Sequence, residues 1–355
     1  MQRDARRSRW SVSKTIRVLD LSRAGSLSLT TLTRRQLVAG VALSAVTLAV
    51  GAVLIHSGYN EAFYVEDPAV RAIFNIVTDL GSETFYVVFF TALYFSIDKE
   101  FSKNLIVAFL VSNHINATIK VLCRDPRPPT NIVNGRPIET SYGFPSNHSQ
   151  LSTVFWGYTF IYAKGKPMAT LVQTACVALM FLVPISRVVI GVHDLQDIIG
   201  GTVIGMLFLV AYLSALPRLE EFRRLPTLRR IPVGMIAVLV LWAGSVLAFP
   251  EAAEDFGISG GLLMACALTF PIEERHVNYR PEGLSPIKRL FAGVFGMAST
   301  FVVYFALGAT IGQIQTLGYV WRFFRYFAIG IFIVLIVPAV LKKLLGPKRP
   351  SSKSR

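Results

Sequence analysis

Two of the chain's five histidines, His148 and His193, fall at the edges of long apolar runs, where ionisable groups are costly and usually functional. Around them stand Lys120 and Arg127 in "IKVLCRDPRP", Ser146 and Asn147 in "FPSNHSQ", and Arg187 and Asp197 in "PISRVVIGVHDLQD". Three separated segments thus carry two imidazoles, a carboxylate, a hydroxyl and three cations. That set suits phosphoryl transfer. One histidine can attack phosphorus while the other protonates the leaving oxygen. Arginine pairs bidentately with non-bridging oxygens, and lysine acts as a point charge. The Ser146 hydroxyl and the amides of a helix start add neutral donors. His193 and Asp197 are four apart, so on a helix they share a face, and the carboxylate can fix the imidazole tautomer. No carboxylate cluster of a magnesium site accompanies them, so neither a metal nor another cofactor is expected. Each segment alone has a plainer reading: snorkelling for the basic side chains, an ordinary helix start for the proline and small polar groups of "FPSNHSQ", and a capped helix start with a satisfied histidine for the aspartate. All three plainer readings holding together is the less economical account.

The elements that must position these groups read as membrane helices. The 355 residues are 53% hydrophobic with 25 Phe. About ten runs are apolar enough to cross a bilayer: 37–57, 82–97, 104–122, 148–163, 168–190, 194–216, 231–249, 258–272, 290–312 and 321–343. Lipid admits only helices or closed barrels, which predicts an all-α polytopic membrane protein. The net charge of +15 follows topology. Nine basic residues lie between Arg3 and Arg35, and others cluster at Lys164 and Lys166, Arg218 to Arg230, Arg275 to Arg289, and Lys342 to Arg355. If each run crosses once, these clusters share one side and the acidic loops at Glu61 to Asp67 and Glu251 to Asp255 share the other. The positive-inside rule then puts both termini in the cytoplasm of a multi-pass cell-membrane protein, with the chemistry-bearing residues on the extracytoplasmic face. Nucleic acid is not an expected partner. The first run has no small-residue cleavage site and reads as a retained anchor. Three cysteines, two of them inside apolar runs, indicate no disulfide framework.

Lys120, Arg124, Arg127, Arg136 and Arg187 break the charge rule on the outer side, as do Arg322 and Arg325 later. Asn113, Asn116 and Lys120 form a polar stripe on one helix, read as interhelical hydrogen bonding. His114 faces elsewhere and reads as structural. Gly201 and Gly205 continue the Asp197 face and predict close helix packing beneath the site. The turn-rich segment 129–144 joins two motif-bearing runs and is placed to cap the site.

"KVLCRDPRP" fits Lys-x6-Arg-Pro, "PSNH" resembles Pro-Ser-Gly-His, and "SRVVIGVHDLQD" fits Ser-Arg-x5-His-x3-Asp. In that order they resemble the type-2 phosphatidic acid phosphatase superfamily, which holds membrane lipid phosphatases and the vanadium haloperoxidases. The resemblance covers roughly residues 80–216. It implies phosphate binding by Lys120, Arg127, Ser146 and Arg187. It implies His193 as the nucleophile forming a phosphohistidine, Asp197 as its orienting group, and His148 as acid for the leaving group and base for water. The family pattern has Gly where this chain has Asn147. Asn tolerates left-handed backbone, and its amide can itself donate to phosphate.

The organisation expected is a basic cytoplasmic tail over 1–36, a six-helix phosphatase core over 37–216 and a basic linker over 217–230. About four extra transmembrane helices of unassigned role follow over 231–343, then a basic tail over 344–355. The expected function is hydrolysis of a lipid phosphate or polyprenyl diphosphate. Its competitors are a lipid phosphotransferase using the same phosphohistidine and a non-catalytic lipid-phosphate binder or flippase. Expected partners are the bilayer and the lipid phosphate, with a homodimer left open.

Overall fold

The computed structural model describes residues 33–61, 63–311 and 318–346; most of the two basic tails lies outside these residues. Helices α1 (Arg34–His56), α2 (Pro68–Asp79), α3 (Glu83–Ala92), α4 (Lys99–Cys123), α5 (Asn147–Ala163), α6 (Ala169–Val189) and α7 (Leu195–Arg223) form the first half. Helices α8 (Thr227–Ala248), α9 (Ala253–Ile272), α10 (Pro286–Ile311) and α11 (Gly318–Ile331) form the second, with α11 passing through a π-helical turn into α12 (Val337–Leu345). Every predicted apolar run coincides with a helix. Among the described residues, eight helices are long and apolar enough to cross a membrane, or nine if the bent pair α2 and α3 counts as one span. Buried α5, at 17 residues, is shorter than a full crossing.

Boundaries differ from the sequence reading where charge interrupts an apolar run. Helix α4 begins at Lys99 because Lys99 and Lys103 are neutralised there by Glu273, 3.0 and 3.5 Å away. Helix α7 continues to Arg223 and α8 starts at Thr227, so most of the expected 217–230 linker is helical. Helix α2 lies between two of the predicted runs, in a segment the sequence reading left unassigned; Asp67 caps it and Pro68 opens it.

Helix–helix association in lipid depends on close packing and interhelical hydrogen bonds. Both are present beneath the site. A Cβ at Gly201 would lie 2.5 Å from the Ser146 carbonyl, and one at Gly205 would lie 2.7 Å from that of Gln150, so α5 and α7 touch backbone to backbone. Asn116 of α4 donates to Gln150 of α5 at 2.9 Å. An aromatic cluster of Tyr86, Phe90, Phe109 and Phe155 fills the space between α3, α4 and α5. His114 hydrogen-bonds Ser259 and Ser245, each at 2.8 Å, tying α4 to α9 and α8. Both ring nitrogens are used, which agrees with the structural role expected.

Candidate active site

The candidate residues meet at one end of the bundle. Lys120 is in the last turn of α4, which stops at Arg124 in left-handed backbone. The chain then crosses the bundle end as a loop with a small antiparallel hairpin, Ile132–Val133 paired with Arg136–Pro137. Its turn is Asn134-Gly135, both at positive φ, the pairing such two-residue hairpins favour. This loop brings in Arg127, Glu139 and Ser141 before Ser146 caps α5.

Arg187 lies in the last turn of α6. The chain reverses at Gly191, whose φ of +80° and contact with the Tyr64 ring leave no room for a side chain. His193 follows in this turn, ahead of the cap residue Asp194, and not inside the helix as four-residue spacing suggested. Asp194 Oδ1 accepts from Asp197 N–H at 3.1 Å, fixing the first turn of α7. Asp197 and His193 still meet: Nδ1 is 2.8 Å from Asp197 Oδ2. The carboxylate is acceptor-only, so Nδ1 carries the proton and Nε2 keeps its lone pair. Nε2 accepts from Arg127 Nη1 at 3.1 Å. Burial first, then the charges of Arg127, Lys120 and Arg187, push the His193 imidazole well below its usual range, which keeps it neutral.

Lys120, Arg127, Asn147, His148, Arg187 and His193 line one cavity of about 370 Å³. Ser146 and Asp197 stand behind that wall and are fully buried. Ser146 Oγ accepts from Ser149 N–H at 3.4 Å as the α5 cap. The proline of "FPSNHSQ" therefore sits before the cap, outside the first turn. Asn147 opens α5 in helical backbone, so the left-handed conformation that Asn tolerates is not used. Its side-chain amide donates to Asn113 at 3.1 Å.

The cations are held by the protein's own oxygens. Lys120 donates to the carbonyls of Tyr142 and Gly143. Arg127 donates to Ser141 O at 2.7 Å and Val192 O at 2.8 Å. Arg187 donates to Thr78 Oγ1 at 2.9 Å and to Glu139 Oε1 at 2.6 Å; the other oxygen of Glu139 is 3.9 Å from Arg127. A carboxylate from the capping loop thus bridges two guanidiniums. Sequence reasoning missed Glu139 and Thr78. Arg187 Nε and Asp197 Oδ1 are buried without a partner among the described residues. Such orphaned groups mark unused hydrogen-bonding capacity.

Of the outer charges elsewhere, Arg124 pairs with Glu251 at 2.6 Å and Arg322 with Glu254 at 3.0 Å. Arg325 stacks over the rings of Tyr304 and Tyr326.

The model of the PAP2 superfamily matches residues 101–221, the stretch that holds this constellation. A second, described as the transmembrane extension of PAP2 superfamily phosphatases, matches residues 256–349. The chain belongs to the PAP2 superfamily. It is a multi-pass membrane protein in which the PAP2 core is followed by the family's transmembrane extension. Among curated proteins, Sphingosine-1-phosphate phosphatase 1 of Mus musculus is 24% identical over 311 residues, 81% of this chain and 63% of the mouse protein. Sphingosine-1-phosphate phosphatase 2 of Homo sapiens is 27% identical over 156 residues, 43% of this chain and 39% of the human protein. Lipid phosphate phosphatase delta of Arabidopsis thaliana is 26% identical over 171 residues, 44% of this chain and 41% of the plant protein. The chain spans less than two thirds of the length of each. Among solved structures, a PAP2-type phosphatidylglycerolphosphate phosphatase from Bacillus subtilis aligns with a TM-score of 0.41 and 22% identity, covering 53% of this chain and 98% of that one.

Proposed function

We propose that this protein hydrolyses a phosphate ester or diphosphate of a membrane lipid through a phosphohistidine, without a metal, at the extracytoplasmic face. One observation carries the reading: a neutral, buried imidazole held by a carboxylate on Nδ1, with its Nε2 lone pair on a cavity wall shared with Lys120, Arg127 and Arg187. His193 Nε2 attacks phosphorus, and the bond from phosphorus to the ester oxygen breaks. His148, protonated when the phosphate's negative charge offsets the nearby charges of Arg187, Arg127 and Lys120, gives its proton to that oxygen, and the alcohol leaves. Neutral His148 then takes a proton from water as the water oxygen attacks phosphorus. The N–P bond breaks and phosphate departs, with His148 protonated again. Lys120 and the two arginines hold the non-bridging oxygens, exchanging loop carbonyls and Glu139 for phosphate. The names of the curated relatives, all phosphatases of phosphorylated lipids, support this class of substrate.

The test is phosphate release by purified protein in detergent from phosphatidate, phosphatidylglycerol phosphate, a sphingoid phosphate and a prenyl diphosphate. Release from at least one of these in excess chelator is expected, because the groups that neutralise the phosphate are side chains. Activity lost to chelator and restored by magnesium would mean that a metal takes part. Transfer of phosphate to a second lipid, with no free phosphate, would make the protein a phosphotransferase.

The orientation rests on the charge distribution. The basic clusters at Lys164 and Lys166, and at Arg223 to Arg230, lie on helix ends opposite the site. Cys123 is exposed at the site end of α4. It is expected to react with an impermeant thiol reagent applied to intact cells. Labelling only after lysis would put the site in the cytoplasm.

A further inference from the structure

The cavity that holds the candidate catalytic groups does not end beneath them. It runs down the seam between the PAP2 core and the extension. Lys120 and Ser102, both on its wall, are 18 residues apart on α4 (120 − 102). At the helical rise per residue that is a depth of about 27 Å, close to the ~30 Å of a bilayer's hydrocarbon core. Below the phosphate end the wall turns largely apolar. The core contributes Val87 and Phe90 from α3 and Ile106 and Phe109 from α4; the extension contributes Leu262 from α9 and Ile329 from α11.

The seam is held open as a defined space by clamps at both ends. At the inner end Lys99 and Lys103 of α4 meet Glu273 and Glu274, which follow α9, at 3.0 to 3.5 Å. Arg230 of α8 joins the same group through Glu274. At the outer end Arg124 pairs with Glu251, just before α9. The inner pairs of Lys99 and Lys103 with Glu273 are buried, and buried ion pairs contribute more to register than to stability; the outer pair is exposed. Together these pairs fix α9 along α4, which it touches at His114 and Ser259, and the cavity runs beside that contact. Close contacts seal the far side of α9: Cβ atoms at Gly257 and Gly261 would lie 2.8 and 2.3 Å from backbone oxygens of α11.

We propose that the C-terminal extension is the second wall of a binding site for the hydrocarbon chain of the substrate, which lies along the core–extension seam while its phosphate meets His193. The proposal rests on the lipid-phosphatase reading and names what the extension does for it. The occupant follows from the two ends: a cationic pocket for phosphate opens directly into an apolar bore about as long as one membrane leaflet pair's hydrocarbon. A volume of about 370 Å³ drawn out over that length admits a narrow, flexible apolar group. The apolar wall rewards each methylene it covers, so affinity should rise with chain length until the bore is filled.

The experiment is a depth series. Ile258 lies near the phosphate end of the wall, and Val334 lies toward its inner end. Ile258→Trp and Val334→Trp are compared with Leu247→Trp, at a position 82% exposed on α8. The reading is the ratio of kcat/KM for octyl or octadecyl phosphate to that for butyl phosphate. Ile258→Trp is expected to lower both ratios at least about tenfold. Val334→Trp is expected to lower only the octadecyl ratio, by a similar factor, and Leu247→Trp should match the wild type. Ratios unchanged in both cavity variants would overturn the proposal.

A binding measurement needs no variant and no turnover. Hexadecyl phosphate with a diazirine at its far end, photolysed on the wild type, should label the inner halves of α9 and α11. Adducts confined to the outer surfaces of α6 or α8 would also overturn the proposal. If the wild type released phosphate from none of these esters, the phosphatase reading would fail, and the adduct map would still decide whether the seam binds the chain.

Discussion

His193→Ala is expected to abolish phosphate release and the phosphoenzyme together. His148→Ala is expected to separate them. His193 holds the Nε2 lone pair on the cavity wall, so without it no N–P bond forms. His148, in the first turn of α5, lines the same cavity with its ring against Gly81, where a Cβ would lie 3.0 Å from His148 Cδ2. Its proposed part is to protonate the departing oxygen and to activate the arriving one. A substrate with a good leaving group needs no proton from His148, so the first step should survive in His148→Ala. The second step still needs a base for water, so the phosphoenzyme should accumulate. General acid–base groups are worth about 10²–10⁴-fold, which sets the expected slowing. The readout is an acid-labile, base-stable label after quenching with radiolabelled substrate. A label that persists in His193→Ala and disappears in His148→Ala would reverse the two roles. Full activity in both variants would leave a lipid-phosphate binder as the better description.

Much of this architecture was legible from sequence because it rests on patterns that act locally. Apolar length alone located every long helix. Charge asymmetry separated the site end from the opposite end. Failures came where a local pattern was overridden by a distant partner. Lys99 and Lys103 look like the end of a span, yet Glu273 and Glu274, some 170 residues on, let α4 include them. Arg223 and Arg230 look like linker, yet Asn104 and Glu274, both more than 40 residues away, hold them in helices. Asn147, where the family pattern has Gly, left two readings open, a left-handed backbone or an amide donor; as the first residue of a helix capped by Ser146 it does not use the first.

The site followed the same rule. His193, Asp197 and the three cations announced themselves by residue type and by motif spacing. Glu139 and Thr78 did not, because nothing near them in sequence encodes their contact with Arg187. The role of the extension was unreadable for a related reason. A helix that lines a cavity and one that faces lipid are equally apolar, and only the packing of α9 against α4 tells them apart.

Asp197→Asn should lower kcat by a factor on the order of 10²–10⁴ while leaving the fold and KM close to the wild type. The substitution conserves shape, and the backbone bonds at this position stay: Asp197 N–H to Asp194 Oδ1, and Ser146 N–H to Asp197 O. What changes is the imidazole. The carboxylate accepts from His193 Nδ1 at 2.8 Å, which fixes the proton there and leaves the lone pair on Nε2, where Arg127 now donates and where the proposed attack on phosphorus would start. An amide nitrogen turned toward Nδ1 would stabilise the opposite tautomer, with the proton on Nε2 and no lone pair for phosphorus. An amide oxygen turned that way would keep the tautomer but give the developing positive charge on the ring far less stabilisation. Both orientations should slow formation of the proposed phosphoenzyme, and neither touches Lys120, Arg127 or Arg187, the groups proposed to hold the phosphate. The loss should therefore fall on kcat and on the rate of the first labelling step, with inhibition by inorganic phosphate little changed. A variant within about fivefold of wild-type kcat would contradict the orienting role. A rise in KM at unchanged kcat would instead assign Asp197 to ground-state binding.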